Sequence, residues 1–382
     1  MAPALAKTKR YESLDVLRGL TVFFMCMANN PGNWGKLYTP MKHTAWTGCS
    51  PVDLIYPTFI FCMGCAMAFS FAKYEGNTGA GVWKVIKRSI GIFLVGFLLN
   101  CYPFFPTEGG KLVFGWDTWV EWMSGKRIMG VLQRIACAYL IAGLLVLWLK
   151  KPKKVAIALG VLLVLYTAIL VIFGTEPGPF TLEGTVSRKI DVALLGSNHV
   201  YHGYSYDNGM SAAFDPEGPL GALPAAASGL LGYLIGCLIR KTNKEHTSEY
   251  EMDGKIFVFG LLSLALGELI SIWIPISKPL WSASYVFYAA GWAMLLLGFL
   301  IFCIDLKSIR KPFTPFKAMG MNALMAFVLS GVIAKSYQFF HWSPSKTFGA
   351  TYFLSFTHSV LFGLVIMGIL WILYKKKIFI RL

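Results

Sequence analysis

Long apolar runs and short polar, often basic, stretches alternate along this chain. A helix crossing a hydrocarbon core needs about 20 apolar residues. Runs of that kind predict spans near 14–30, 52–72, 84–103, 127–149, 153–173, 218–240, 255–275, 281–304, 317–337 and 351–374. The expected fold is an all-α polytopic membrane protein with about ten transmembrane helices, forming one domain over residues 1–382. No internal repeat is evident by eye.

Polar stretches between the spans fall into two sets. One set is short and basic, with Lys7, Lys9 and Arg10; Lys73, Lys84, Lys87 and Arg88; Lys150 to Lys154; Arg240, Lys241, Lys244 and Lys255; Lys307, Arg310, Lys311 and Lys317; and Lys375 to Lys377 with Arg381. The other set is longer, poorer in Lys and Arg and rich in aromatics. By the positive-inside rule the basic set and both termini are cytoplasmic. The outer loops 31–51, 102–127 and 174–217 then form an acceptor side facing the periplasm or a lumen. They hold Trp116, Trp119 and Trp122 in the second, and His199, His202, Tyr201, Tyr204, Asp215 and Glu217 in the third. Aromatics, carboxylates and histidines in long loops suit a polar ligand, although interfacial aromatics alone would also fit a structural cap.

Composition agrees: 56% of the chain is hydrophobic and 14% charged, which suits a bilayer protein. The net charge of +16 follows the loops and is a topology signal, so no nucleic-acid partner is expected. The eight cysteines give no disulfide framework, because most lie in apolar runs, and Cys62-Met-Gly-Cys65 sits mid-helix without a second pair. Gly232 and Gly236 form a small-residue pair suited either to packing between spans or to a homodimer. No metal-ligand set with sensible spacing appears. No cleavable signal peptide and no N-x-S/T sequon are seen, which favours a bacterial inner-membrane source.

Several spans carry polar groups that lipid cannot satisfy. Asp15, Arg18, Thr21 and Asn29 lie near one face of the first span. Arg134 lies within span four, with Asn100 and Asp53 as candidate partners. Asn322 lies near the cytoplasmic end of span nine. The densest chemistry lies between the first two spans. There His43 sits in a polar, aromatic loop, and Pro51 and Asp53 open the next helix. A histidine near a carboxylate is a candidate general base; a loop histidine at the membrane interface is the plainer alternative.

The segments RYESLDVLRGL, KHTAWTGCSPVDLIYPTFIFCMG, GVLQRIACAY, AFDPEGPLG, LWSASYV and YKKKIF occur in that order from Arg10 to Phe379. Together they resemble the heparan-α-glucosaminide N-acetyltransferase family of transmembrane acyltransferases. The H-x-x-W-x-G-x-x-x-x-D-L-x-x-P block is the most specific of them. The extra N-terminal lumenal segment and additional span of the lysosomal enzyme are not seen, which suggests a bacterial member. The resemblance implies transfer of acetyl from cytoplasmic acetyl-CoA to the amine of a glucosamine-type sugar on the outer side. The family's catalytic histidine corresponds to His43 and its active-site asparagine to Asn29, with Asn30 as a rival. His199 matches a family histidine; His202 does not.

On this reading His43 is the general base, or takes the acetyl group itself before passing it on. Asn29 orients the acetyl group or donates to the oxyanion, and Asp53 fixes the imidazole tautomer. Arg18, Arg134, Lys317 and Asn322 are the candidates for holding acetyl-CoA. Trp46, His199, Asp215, Glu217 and Trp281 are those for the sugar, since carboxylates bind hydroxyls and ammonium and rings stack on pyranose faces. Asp215 equally suits a helix cap. An O-acyltransferase of surface glycans and a sugar transporter are the competing readings.

Overall fold

The computed structural model describes residues 10–74, 76–206 and 209–380. Lys7, Lys9 and Arg381, which contribute to the charge pattern, lie outside the described residues. The helices in chain order are α1 (Glu12–Ala28), α2 (Ile55–Ser70), α3 (Thr78–Cys101), α4 (Trp116–Ser124), α5 (Val131–Leu149), α6 (Pro152–Phe173) and α7 (Val186–Leu195). They continue as α8 (Ala222–Glu245), α9 (Glu249–Ser271), α10 (Ala283–Leu300), α11 (Thr314–Met321), α12 (Ala323–Ser336), α13 (Pro344–Phe348) and α14 (Tyr352–Lys375). The only sheet among the described residues is two short antiparallel hairpins, Thr107–Glu108 with Lys111–Leu112 and Tyr204–Ser205 with Ser211–Ala212.

The protein is an all-α membrane protein. Among the described residues, eight helical stretches are long and apolar enough to cross a bilayer. Helices also form at the other two expected positions. There α1 has only 17 residues, and α3 carries Lys84, Lys87 and Arg88. Two spans differ from the expected continuous helix. Span nine breaks at Asn322, which ends α11 and precedes α12. Its side chain is drawn away to the C-terminal segment, donating to the Ile378 carbonyl (3.1 Å) and accepting from Ile380 N–H (2.9 Å). At the end of α10, Ile301–Leu306 continues as a π-helix.

Lipid offers no hydrophobic drive between helices, so close packing of small residues must supply association. At the centre, α2 packs along α8. A Cβ on Gly232 would run into the Phe61 carbonyl, and one on Gly64 into the Gly229 carbonyl. The glycine pair of α8 is therefore used within the chain, against α2. Cys62 and Cys65 are buried free thiols on α2. The same close approach joins α1 to α11, where a Cβ on Gly19 would meet the Phe316 carbonyl and one on Gly320 the Asp15 carbonyl.

The two sets of loops gather at opposite ends. At one end Tyr11 bonds Asn243 (3.2 Å), Glu12 N–H donates to Asp305 (3.1 Å), and Arg240 donates to the Ala68 carbonyl (3.1 Å). At the other end Trp46 Nε1 donates to the Phe180 carbonyl (2.7 Å) and Gly48 N–H to Ile276 (2.7 Å). There also Thr107 bonds Gln338 (2.8 Å), and Asn33 donates to Gly349 (3.1 Å). This second end, made of the longer aromatic loops, carries His43.

Candidate active site

Asp53 is the hub of the site. Ser50 precedes a short 3-10 turn, Pro51–Leu54, that leads into α2 and carries a capping box between Ser50 and Asp53. That geometry satisfies the open N–H groups at the helix start and turns the buried carboxylate back toward the preceding loop. Its Oδ2 accepts from Thr44 N–H (3.2 Å), the Thr44 hydroxyl (3.1 Å) and Ser50 N–H (3.1 Å). Its Oδ1 faces His43 Nδ1 (2.6 Å) and Lys278 Nζ (3.1 Å). Tyr285, from α10, donates its hydroxyl to the Asp53 carbonyl (2.6 Å) and fixes the backbone. An ionised carboxylate accepts only. Nδ1–H therefore donates to Asp53, and Nε2 is left as the nitrogen that can act. The His43 side chain is 44% exposed, at the rim of a cavity of about 1020 Å³.

This outer cavity is bounded by Trp46, Phe180, Arg127, Tyr204, Glu217 and Trp281. Burial pushes the Glu217 carboxyl up, but Arg127 and Arg134 more than offset this and hold it below the usual carboxylate range. It faces the cavity as an anion. Asp215, by contrast, is fully buried and clamps Arg127 through two bonds (2.8 and 2.5 Å), while Glu217 pairs with the same guanidinium. Asp215 therefore supports Glu217 and Arg127 from behind and does not line the cavity. His199, outside the cavity lining, is tied to the Lys126 carbonyl by Nδ1 (2.7 Å). Trp281 is 1% exposed yet contributes to the cavity wall, with φ +54, a backbone conformation that is costly for a bulky residue. Its Nε1 donates to Ser228 (3.0 Å), and its ring face lies 5.4 Å from the Arg134 guanidinium.

Arg134 belongs to this same end. Its Nη2 donates to the Gly218 carbonyl (3.1 Å), whereas the partners expected from the sequence are engaged elsewhere. Asn100 donates to the Arg127 and Met129 carbonyls, and Asp53 holds His43 and Lys278. Near it on α7, Asp191 is fully buried with neither oxygen bonded among the described residues. Burial, and then the Asp215 carboxylate, push Asp191 up to about 8, against the pull of Arg134. An acid whose folded pKa exceeds its unfolded one stabilises the fold below the unfolded value and loses that contribution as pH rises through the folded value. Thermal unfolding should therefore fall in temperature between about pH 4 and 8, and Asp191→Asn should flatten that slope. A slope unchanged by the substitution would assign the effect to other groups.

A second cavity, of about 610 Å³, opens at the basic end. Arg10, Arg18 and Arg88 line its mouth, and Met25, Phe59, Leu132 and Phe327 line its apolar interior. Arg18 is held only loosely, 3.7 Å from Asp15 and 3.5 Å from the Gly320 carbonyl. Arg88 lies over the Tyr139 ring (5.0 Å), and its buried Nε has no hydrogen-bond partner among the described residues. The polar stripe of α1 faces this cavity through Asp15 and Arg18 but does not extend to Asn29, an exposed residue at the end of α1 outside both cavity linings. Asn30 is buried, donating to its own helix at Cys26 (2.7 Å). Lys317 pairs with Glu12 (2.9 Å) and, like Asn322, is outside the cavity lining.

Sequence reasoning missed Lys278, Arg127, Arg10 and Arg88 as site residues. Lys278 lies 235 positions from His43, and no spacing pattern marks it. Arg88 had a signal, being a third cation on an otherwise apolar helix.

The family model described as heparan-alpha-glucosaminide N-acetyltransferase, catalytic, matches residues 10–187. The human protein named heparan-alpha-glucosaminide N-acetyltransferase is 27% identical over 415 residues, covering 97% of this chain and 59% of the human protein. The mouse protein of the same name is 27% identical over 418 residues, covering 98% of this chain and 61% of its own length. This chain thus spans about three-fifths of the length of the curated relatives it matches. By these matches the chain is similar to the heparan-alpha-glucosaminide N-acetyltransferases, most clearly over residues 10–187.

Proposed function

We propose that this chain transfers acetyl from acetyl-CoA, bound in the cavity at the basic, cytoplasmic end, to the amine of a glucosamine-type sugar in the outer cavity. One observation carries this reading. Val131 lines the outer cavity and Leu132 the inner one, so two cavities opening at opposite ends come within one residue of each other on α5. His43 stands at the rim of the outer one. The relatives' names support the reaction and the amino-sugar acceptor. The basic loops support cytoplasmic termini, and with them a single acyltransferase domain in a cytoplasmic membrane.

In this mechanism the acceptor ammonium must lose a proton before it attacks the thioester carbonyl. Asp53 holds Nδ1–H, so Nε2 takes that proton. Glu217, ionised beside Arg127, receives the incoming ammonium, and Trp46 and Tyr204 offer ring faces to the sugar. The amine nitrogen forms the new C–N bond, the C–S bond breaks, and the thiolate of CoA takes up a proton as it leaves. Arg18 and Arg88 meet the phosphates at the inner mouth, and the apolar interior accepts the pantetheine arm.

Purified protein in detergent, supplied with acetyl-CoA and glucosamine, should release CoA and form N-acetylglucosamine, identified by mass. Acetylation of a hydroxyl, recognised by an alkali-labile product, would overturn the N-acetyl reading. Uptake of labelled sugar without acetyl-CoA would point to transport. Arg18→Ala should raise the KM for acetyl-CoA by about tenfold or more while leaving kcat within a few-fold, as expected for a charge-assisted phosphate contact. An unchanged KM removes Arg18 from the phosphate site.

A further inference from the structure

We propose that Lys278 is a positioning residue of the site: by sharing Asp53 Oδ1 with His43 it keeps the imidazole neutral, with Nε2 unprotonated and able to act. The inference rests on the reading of His43 as the acting group.

The geometry leaves the imidazole two arrangements. Lys278 Nζ is 2.9 Å from His43 Nδ1 as well as 3.1 Å from Asp53 Oδ1. Nδ1 has one in-plane position, holding either a hydrogen or a lone pair. With the hydrogen it donates to Asp53 and Nε2 is bare. With the lone pair it accepts from Lys278, and Nε2–H points to the acceptor. The 2.6 Å contact to Asp53 favours the first. A buried carboxylate this close, acting alone, would also stabilise the imidazolium, which has no lone pair for chemistry. Lys278 opposes that. Its side chain is 20% exposed, it places a second cation on the same oxygen, and two cations cannot both be satisfied by one carboxylate charge.

The other groups facing this cluster do not replace it. Lys42, the neighbour of His43 in the loop, is exposed. Burial, then Asp53, push the Cys49 thiol up to about 12, so it is neutral. Burial, then Glu217, push the Tyr204 hydroxyl upward, so it too is neutral. Glu217 is an anion, but it is paired with Arg127.

The test is side-chain NMR of protein labelled at histidine, in nanodiscs, comparing wild type, Lys278→Met and Lys278→Arg, with the His43 signal assigned by its loss in His43→Gln. In Lys278→Met the imidazole should stay protonated to a pH roughly one unit or more higher than in wild type, as for removal of a like charge at this range. Lys278→Arg should titrate like wild type. The acid limb of the kcat/KM–pH profile should move the same way, so that Lys278→Met recovers activity as pH is raised. A merely structural lysine would lower activity equally at every pH. Identical His43 titration in wild type and Lys278→Met overturns the proposal; should Lys278→Met fail to fold, Lys278→Gln gives the same comparison. The NMR shift does not depend on turnover. If it appears while His43→Gln still transfers acetyl, the proposed function fails and the role of Lys278 toward the imidazole stands.

Discussion

His43→Ala should lower acetyl transfer by about 10³-fold, within the range lost when a positioned acid–base group is removed. The protein should remain folded, because the His43 side chain is half-exposed and its partners Asp53 and Lys278 still satisfy each other. The KM for acetyl-CoA should hardly move, since His43 is absent from the lining of the inner cavity. The same residue separates the two mechanisms left open by the sequence. Wild type incubated with acetyl-CoA alone and quenched should show no acetyl group on the His43 peptide if the imidazole is only a base. An acetylated peptide that clears on adding glucosamine would establish transfer through acetyl-imidazole. Turnover surviving in His43→Ala would remove this residue from the mechanism.

Asp53→Asn should cost roughly 10³-fold or more in kcat, comparable to loss of the carboxylate that orients a catalytic histidine elsewhere. The physical reason is a mismatch of hydrogens. Both oxygens of Asp53 accept, from Thr44 and Ser50 on one side and from His43 and Lys278 on the other. An amide must aim its NH₂ at one of these donor sets, leaving N–H facing N–H. Turned toward the loop, it opposes Thr44 and Ser50; turned toward the site, it forces His43 into the wrong tautomer. Unlike His43→Ala, this substitution should also destabilise the fold, by about 2 kcal/mol for a lost charged hydrogen-bond acceptor. Circular dichroism melts of the two variants side by side check this. Equal melting temperatures would mean that the carboxylate does not brace the loop.

Much of the fold could be read from the sequence because lipid imposes a simple rule: apolar runs of sufficient length become helices, and polar groups collect at the ends. The alternation of basic and aromatic loops sorted correctly into two ends, as the bonds from Trp46 to Phe180 and from Glu12 to Asp305 show. The pairing of His43 with Asp53 was legible for a local reason. The S-P-V-D turn starts a helix, and the acid three residues after the cap must look back toward the loop that precedes it. Contacts across long separations left no such mark. Lys278 reaches the site from the loop between α9 and α10, and Arg127 reaches Asp215 from the loop between α4 and α5. Arg134 was visible as a costly buried charge, but its partners are a backbone carbonyl and a ring face, Gly218 and Trp281, which no residue type announces. The break at Asn322 was hidden for a related reason. An uninterrupted apolar run predicts one helix, and only the backbone of the C-terminal segment, captured by that side chain, explains two.

Sealed proteoliposomes test whether acetyl passes from one compartment to the other. Acetyl-CoA is enclosed inside and glucosamine is supplied outside, with protein-free vesicles and His43→Ala vesicles as controls. N-acetylglucosamine should appear in the outer solution, with free CoA retained within, in wild-type vesicles only. Product that forms only when both substrates share one side of the membrane would contradict transfer between compartments.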